Sequence, residues 1–282
     1  MSVTVFDDRP CALGEGPLWH PMRKQLFWFD ILGKRMLSRD ATGPQVWQFD
    51  AHVSAAGWLD EETLLIASET ALIRFDLATG TSEVVAPLEA GNPVTRSNDG
   101  RADPQGGFWI GTMGKRAEPG AGAIYRYFRG ELRQLFPGIT ISNAICFAPS
   151  GQTAYFTDTP RRLIQSVALD QQGWPQGDPQ VFIDLNAEGL APDGAVVDAQ
   201  GCLWNAQWGA SRVARYGPDG RFLSALEVPA VQTTCPAFGG PGLRTLFVTS
   251  ATDGLAKPAP GDGLTHQAVL DVAGQAEHQV IL

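Results

Sequence analysis

Residues 190–221 read LAPDGAVVDAQGCLWNAQWGASRVARYGPDGR. Turn-forming residues at 192–194 precede a short apolar run at 195–197, and two further apolar runs follow at 202–204 and 212–216. Short runs of this kind, bounded by Asp, Gly and Pro, are typical of strands in an antiparallel meander. The stretch therefore predicts one unit of an all-β fold, with a turn formed by residues 192–194.

This unit recurs six times along the chain. Counterparts of the second apolar run appear at intervals of 38 to 49 residues, beginning at Leu26, Leu64, Phe108, Ala154, Leu203 and Leu246. The blades of β-propellers repeat at about 40 to 50 residues. We therefore expect an all-β, six-bladed β-propeller of four-stranded antiparallel blades around a central channel, forming a single domain over residues 1–282. A β-sandwich is the alternative, but it requires no six-fold periodicity.

The N-terminal run, residues 3–6, precedes the first repeat. We expect it to pair with the C-terminal blade and close the ring, an arrangement that leaves few exposed strand edges. No stretch shows the 3.6-residue periodicity of an amphipathic helix.

The composition argues against several kinds of partner. The 282 residues carry a formal net charge of −9 and a pI near 4.9, whereas nucleic acids and anionic membranes require a basic surface. Because the chain has neither an apolar run of about 18 residues nor the features of a signal peptide, we expect a cytoplasmic protein. The cysteines show no CxxC spacing, and we expect buried free thiols at Cys11, Cys146, Cys202 and Cys235.

Four polar residues occupy the same position in four of the six repeats. Glu15, Asn98, Asn143 and Asp193 each lie 10 or 11 residues before the apolar run that marks their repeat, which we take to be the innermost run of the blade. Equivalent positions in successive blades meet around the channel, so we expect these side chains to converge at one of its mouths. Carboxylate and amide oxygens suit a hard cation such as Ca²⁺, Mg²⁺ or Mn²⁺. Each residue alone could be a turn former, but the shared register favours a cation site.

Five motifs together indicate a family. They extend from about residue 13 to about residue 254 and read Gly14-Glu15-Gly16-Pro17, Arg96-Ser97-Asn98-Asp99-Gly100, Gly111-Thr112-Met113, Ile141-Ser142-Asn143 and Pro192-Asp193-Gly194. With these motifs the chain resembles the SMP-30/gluconolactonase/regucalcin family of six-bladed propellers. It is most similar to the bacterial sugar-lactonase branch.

The resemblance implies an enzyme that hydrolyses a carboxylic ester bond. Its substrate would be a sugar lactone, such as an arabino-, xylono-, galactono- or gluconolactone, and its product the aldonic acid. The resemblance also implies one divalent cation bound by Glu15, Asn143 and Asp193, with Asp193 acting as the general base. Ca²⁺ is the first expectation for this cation, and Mn²⁺, Mg²⁺, Zn²⁺ and Fe²⁺ stay open.

Contacts to the substrate are implied in the same way. Arg96 and Asn98 would orient the sugar hydroxyls, and Asn98 would lie close enough to the cation to act through water. Some relatives hold the sugar with a Glu shortly after the Gly-Thr-Met motif, and Glu118 is the candidate here if a gap is allowed. Trp208 could form a stacking wall for a sugar, although core packing is the usual role of a tryptophan in a blade strand.

Two other functional classes stay open. One is a non-catalytic calcium-binding propeller with a regulatory role, and the other is a metal-dependent esterase or phosphotriesterase. The chain lacks Gly-x-Ser-x-Gly and His-Glu-x-x-His motifs, and no Gly-x-Gly-x-x-Gly follows a strand, which argues against a serine hydrolase, a zincin and a nucleotide cofactor. We expect the partner to be a small sugar lactone and the protein to be a monomer.

Overall fold

A computed structural model describes residues 2–282. In this part of the chain, 24 β-strands form six four-stranded antiparallel sheets, which are arranged as the blades of a ring. The fold is the predicted six-bladed β-propeller. The helices of the described residues are two short 3₁₀ turns, Thr159–Arg161 and Pro241–Leu243, and neither has the length or the apolar character needed to cross a membrane.

The strands of blades 1 to 5 follow one another in chain order from the channel outward, whereas blade 6 takes its outermost strand, β1 (Thr4–Asp7), from the N-terminus. Blades 1 to 3 contain β2 (Gly14–His20), β3 (Gln25–Asp30), β4 (Arg35–Asp40), β5 (Gly43–Gln48); β6 (Val53–Trp58), β7 (Thr63–Ser68), β8 (Ala71–Asp76), β9 (Ser82–Pro87); and β10 (Thr95–Ala102), β11 (Phe108–Gly114), β12 (Gly122–Phe128), β13 (Glu131–Ile139). Blades 4 to 6 contain β14 (Ser142–Phe147), β15 (Thr153–Asp158), β16 (Leu163–Leu169), β17 (Pro175–Asp184); β18 (Ala191–Val197), β19 (Leu203–Trp208), β20 (Arg212–Tyr216), β21 (Phe222–Glu227); and β22 (Gln232–Gly239), β23 (Thr245–Ala251), β24 (Thr265–Val269).

The first two strands of each blade are the most thoroughly buried. Every residue of β3, β7 and β23 is buried, because each blade is covered by a neighbour on both faces. A strand covered on both faces reads as a continuous apolar run, which explains Leu-Phe-Trp-Phe at 26–29. These runs mark the six repeats, so the prediction that they are the innermost runs is wrong. The four cysteines are buried free thiols, as predicted.

β1 closes the ring, as predicted for the N-terminal run. It pairs antiparallel with β24 of blade 6. The buried carboxylate of Asp7, at the end of β1, accepts hydrogen bonds of 2.8 and 2.9 Å from Arg9 and one of 2.9 Å from Arg39. Because Arg39 belongs to β4 of blade 1, these ion pairs join the two blades between which the ring closes.

The C-terminal segment 273–281, here called the strap, crosses one end of the channel. It forms hydrogen bonds at or near the last residues of four innermost strands, β6, β10, β14 and β18. Main-chain bonds from Val280 to Trp58 and from Ile281 to Gly106 are 3.0 and 2.8 Å long. The strap therefore covers the end of the channel at which the innermost strands finish.

We predict that Asp7→Asn lowers the free energy of unfolding at pH 7 by about 2 kcal/mol, because Arg9 and Arg39 lose their shared carboxylate. Burial acts to raise the pKa of Asp7, but the hydrogen bonds from the two arginines outweigh it and hold the pKa below its ordinary value of 3.8. A carboxyl group with a lowered pKa stabilises the fold above its unfolded-state pKa, and this contribution is lost as the pH falls through the folded-state pKa. Urea denaturation should show the wild type and the variant converging below pH 3.8.

Asp8→Asn is the matched control for this variant, because the neighbouring Asp8 side chain is 83% exposed. It should change the free energy of unfolding by less than about 0.5 kcal/mol. Equal losses in the two variants would contradict a role for Asp7 in closing the ring.

Candidate active site

Every innermost strand contains a β-bulge near its beginning. The pairing between the first and second strands shifts register once in each blade, between Glu15 and Leu18, Val53 and Ala55, Ser97 and Gly100, Asn143 and Cys146, Pro192 and Ala195, and Thr233 and Pro236. A bulge bends its strand and re-aims the adjacent side chains, and bulges are frequent beside active sites. Because the blades repeat one geometry, the six bulges surround the channel at one end, opposite the strap.

Four of the predicted site residues lie at these bulges. Glu15, Asn98, Asn143 and Asp193 belong to blades 1, 3, 4 and 5, and all four are buried. The prediction that residues 192–194 form a turn is wrong, since they lie within strand β18. Turn-forming residues are present because a bulge, like a turn, needs backbone geometry that departs from a regular strand.

Glycine follows both carboxylates for steric reasons. Gly16 has a φ of 54°, and a Cβ atom on it would lie 2.1 Å from the carbonyl oxygen of Ser54 in blade 2. A Cβ atom on Gly194 would lie 2.4 Å from Sγ of Cys235 in blade 6. The glycines therefore allow neighbouring innermost strands to approach closely around the site.

A cavity of about 340 Å³ opens at this end of the channel. Five of the six predicted site residues line it together: Glu15, Arg96, Asn98, Asn143 and Asp193. The rest of the wall is partly apolar and includes Leu13, Leu32, Met113, Ile141 and Trp208.

Glu118 is the predicted residue that the structure does not bring to the cavity. Its Oε2 atom accepts the main-chain N–H of Arg116 at 3.0 Å. Lys115, Arg116 and Ala117 line the cavity instead. The loop after Gly-Thr-Met thus presents cationic side chains where the resemblance implied a carboxylate.

The carboxyl groups of Glu15 and Asp193 are both buried, and their negative charges repel each other. Burial, followed by the charge of Asp99, raises the pKa of Glu15 to about 8. Burial, followed by the charges of Glu15 and Asp99, raises the pKa of Asp193 well above its ordinary value. Like charges in a site of low polarity favour the protonated forms, so the arrangement is unfavourable for two carboxylates unless a cation lies between them.

The side-chain amides of Asn98 and Asn143 are held in place by a chain of hydrogen bonds. Nδ2 of Asn98 donates to Oδ1 of Asn143 at 3.1 Å, and Nδ2 of Asn143 donates to the hydroxyl of Thr159 at 2.9 Å. The Thr159 hydroxyl in turn donates to the carbonyl of Pro192 at 2.8 Å. This network fixes Asn143 by its nitrogen and leaves a lone pair of its oxygen for a further partner. It also links blade 4 to the strand that bears Asp193.

Arg96 supplies a buried positive charge beside these groups. Its Nη1 atom donates to Oδ1 of Asn98 at 2.7 Å and to the carbonyl of Ser97 at 2.9 Å. Burial lowers the pKa of Arg96 to about 10, although nearby carboxylates, first of all Glu15, act to raise it. The guanidinium is therefore charged at neutral pH, and it fixes the orientation of the Asn98 amide.

The sequence reasoning missed three polar residues of the site. Thr159 and Asp253 line the cavity, and Asp99 lies buried next to Asn98. Asp99 could have been found, because the Asn-Asp-Gly motif contains it. Thr159 and Asp253 lie after the second strands of blades 4 and 6, outside the register that identified the other residues.

The donor set suits a hard cation. Among residues 2–282, no group of three or more His, Cys, Asp or Glu side chains is arranged to hold a metal, and the candidate set consists of two carboxylates and amide oxygens. In the same part of the chain, neither Glu15 nor Asp193 forms an ion pair. Buried carboxylates that form no direct ion pair fit a site for Ca²⁺ or a related divalent ion, with open positions for water or substrate.

Comparisons with known proteins show the family to which the chain belongs. A family model described as the SMP-30/gluconolactonase/LRE-like region matches residues 13–252. The chain belongs to this family. Among the relatives is a protein of Rhizobium meliloti that is provisionally named a sugar lactone lactonase, 40% identical over 98% of this chain and 96% of its own length.

Two further members are similar over nearly their full lengths. The L-arabinolactonase of Azospirillum brasilense is 36% identical over 92% of this chain and 88% of its own. The crystal structure of a calcium-binding protein, regucalcin, from Agrobacterium tumefaciens superposes with a TM-score of 0.97 at 41% identity, covering 100% of this chain and 98% of that one. The family thus includes named lactonases, which are hydrolases of carboxylic esters, and a named calcium-binding protein.

We predict that Glu15→Gln stabilises the chelator-treated protein at pH 8 and raises its melting temperature. A carboxyl group whose folded-state pKa is raised binds its proton more tightly in the folded state, so stability falls as the pH rises from its ordinary value of 4.5 to about 8. Glutamine cannot ionise, and the variant should lose this decline. Thermal unfolding of both proteins with chelator at pH 5 and pH 8 is the measurement.

Glu131→Gln serves as the control, because Glu131 lies on the outermost strand β13 with its side chain 54% exposed. It should leave the pH dependence as in the wild type. A lower melting temperature for Glu15→Gln at pH 8 would show that ionisation of Glu15 does not destabilise the metal-free protein.

Proposed function

We propose that the chain is a metal-dependent sugar lactonase that hydrolyses an aldonolactone to its aldonic acid. The observation that carries the proposal is the convergence of Glu15 and Asp193, both buried and without an ion pair, with Asn143 in one cavity. Arg96 and Asn98 line the same cavity. Lactonase names among relatives at 36% and 40% identity support the reaction class.

The substrate we propose is a pentono- or hexonolactone. A cavity of about 340 Å³ suits a small molecule of this size. Trp208 and the apolar wall would cover the ring carbons, while Arg96 and Asn98 would bind hydroxyl groups. The choice between arabino-, xylono-, galactono- and gluconolactone depends on single hydroxyl positions.

Glu15, Asn143 and Asp193 would hold the cation, with Ca²⁺ as the first candidate. When bound, the cation supplies Lewis-acid polarisation of the lactone carbonyl and stabilises the developing oxyanion. Its positive charge would also offset the repulsion between the two buried carboxylates. Asn98 donates to Asn143 and directs its own oxygen towards Arg96, so its proposed role is to orient Asn143 and the substrate.

Asp193 is the proposed general base. Its carboxylate would accept a proton from the attacking water as the water oxygen bonds to the carbonyl carbon. When the bond between that carbon and the ring oxygen breaks, the same proton would pass to the ring oxygen. Water is thereby added across the ester bond, Asp193 returns to its starting state, and the product ionises to the aldonate. The buried Arg96 would favour an anionic transition state.

We also propose that the chain acts as one domain and as a monomer. The cavity draws residues from Leu13 to Asp253 and from five of the six blades, so a fragment of the ring would lack part of the site.

A second candidate function is calcium binding without catalysis. It is supported by the 41% identity to a structure named as a calcium-binding regucalcin. Ca²⁺ binding without hydrolysis of any lactone in a panel of aldonolactones would favour this function over the lactonase.

We predict that Asp193→Asn lowers kcat on aldonolactones by about 10³-fold, because the amide cannot accept the proton of water and is a poorer cation ligand. Chelation of the wild type should abolish activity, and added Ca²⁺ or Mn²⁺ should restore it. A pH-stat assay of acid release from a panel of lactones measures both effects.

The control for this variant is Asp184→Asn, at the exposed end of the outermost strand β17, because Asp184 does not line the cavity. Its kcat should equal that of the wild type. Full activity in Asp193→Asn, or in protein freed of metal, would contradict the proposed mechanism.

A further inference from the structure

A buried ion pair between Arg101 and Glu277 takes no part in the proposed chemistry. Arg101 lies near the end of β10, the strand that carries Arg96 and Asn98, and Glu277 lies in the strap. The two side chains are 10% and 6% exposed. The Trp58 indole also donates to the carbonyl of Glu277 at 2.9 Å. The ion pair therefore fixes the end of β10 to a strap residue that is itself held in place.

The other end of β10 holds the bulge of β14. Nδ2 of Asn98 donates to Oδ1 of Asn143 at 3.1 Å, and Oδ2 of Asp99 accepts the main-chain N–H of Ile145 at 2.7 Å. Between these two bonds lies Ala144, buried, with a φ of 56°. Residues other than glycine seldom adopt this left-handed conformation, and it persists only where the surroundings hold it. The two hydrogen bonds from β10 are suited to that task, and so they set the direction of the Asn143 side chain.

Arg101 lies two residues after Asp99 on the same strand, β10. Burial raises the pKa of Asp99 to about 6, and the positive charge of Arg101 acts to lower it. While Arg101 forms its ion pair with Glu277, the Asp99 carboxylate is free to accept the hydrogen bond from the N–H of Ile145. A buried guanidinium that loses its carboxylate is strongly destabilising, and Asp99 is the carboxylate that could replace the missing partner.

We propose that Glu277 is a positioning residue for the cation site. It holds Arg101 away from Asp99, so that Asp99 can hold the bulge that presents Asn143. This role rests on the proposed cation site. Glu277 lies at the opposite end of the channel and would act on that site through β10.

The first test is Glu277→Gln. Calorimetric titration of chelator-stripped protein with Ca²⁺ should give a dissociation constant raised by about tenfold or more, the usual effect of losing a group that orients a metal ligand. In the metal-free proteins, NMR-detected hydrogen exchange should show faster exchange of the Ile145 N–H in the variant. At saturating Ca²⁺, the KM for an aldonolactone should stay within about twofold of the wild type, because Glu277 does not touch the cavity.

Two further variants separate positioning from general stability. Arg101→Met combined with Glu277→Met removes both charges, frees Asp99 for Ile145 and should return Ca²⁺ affinity to within about threefold of the wild type. Asp103→Asn breaks the buried ion pair of Asp103 with Arg126 in the same blade. It should lower the melting temperature and leave Ca²⁺ affinity unchanged.

The proposal is overturned if Glu277→Gln binds Ca²⁺ as the wild type does, or if the double variant binds as weakly as the single one. If Glu277→Gln does not fold, Glu277→Asp retains the charge on a shorter side chain, and its Ca²⁺ affinity should fall by about threefold; unchanged affinity again overturns the proposal. Absence of lactonase activity in the wild type would contradict the proposed function alone. The exchange rate of the Ile145 N–H would still decide whether Glu277 holds the bulge.

Discussion

Two carboxylates are buried together at one end of a channel, and no arginine, lysine or histidine of the described chain forms an ion pair with either. Burial raises the pKa of Glu15 to about 8 and that of Asp193 well above its ordinary value, with the repulsion between the acidic groups adding to the effect. A fold keeps such an arrangement only where other interactions enforce it and where a ligand can relieve it. The proposed cation site and the proposed chemistry both depend on this repulsion between two buried carboxylates.

The enforcing interactions belong to the ring as a whole. Each innermost strand is fixed by two neighbouring blades, and its bulge turns one side chain towards the axis. Steric contact explains the glycines beside the two carboxylates, since a Cβ at Gly16 or Gly194 would collide with the next blade. At the far end of the channel, the strap joins four of the six innermost strands. The site is thus built on rigid strands rather than on flexible loops, which favours precise positioning of ligands.

The sequence predicted the fold, and five of the six candidate site residues that it indicated line one cavity. A period of 38 to 49 residues is a property of the chain itself, and the apolar runs that define it exist because the second strands are covered on both faces. Glu15, Asn98, Asn143 and Asp193 share one register position, and they line one cavity because the blades repeat a common geometry. The motif 192–194 was misread as a turn, since turns and bulges favour the same residues. Glu118, Thr159 and Asp253 lie in connections whose paths are set by local packing, which periodicity does not encode. The partnership of Arg101 with Glu277 joins residues 176 positions apart, and no local pattern indicates it.

The central claim is that Glu15, Asn143 and Asp193 gather around a single cation. The most direct measurement is the anomalous diffraction of crystals grown from chelator-stripped protein and soaked in Mn²⁺. The account predicts one strong peak in the cavity, at about 2.0–2.4 Å from a carboxylate oxygen of Glu15, Oδ1 of Asn143 and a carboxylate oxygen of Asp193. A cavity without a peak, or a peak bound by other residues, would contradict it.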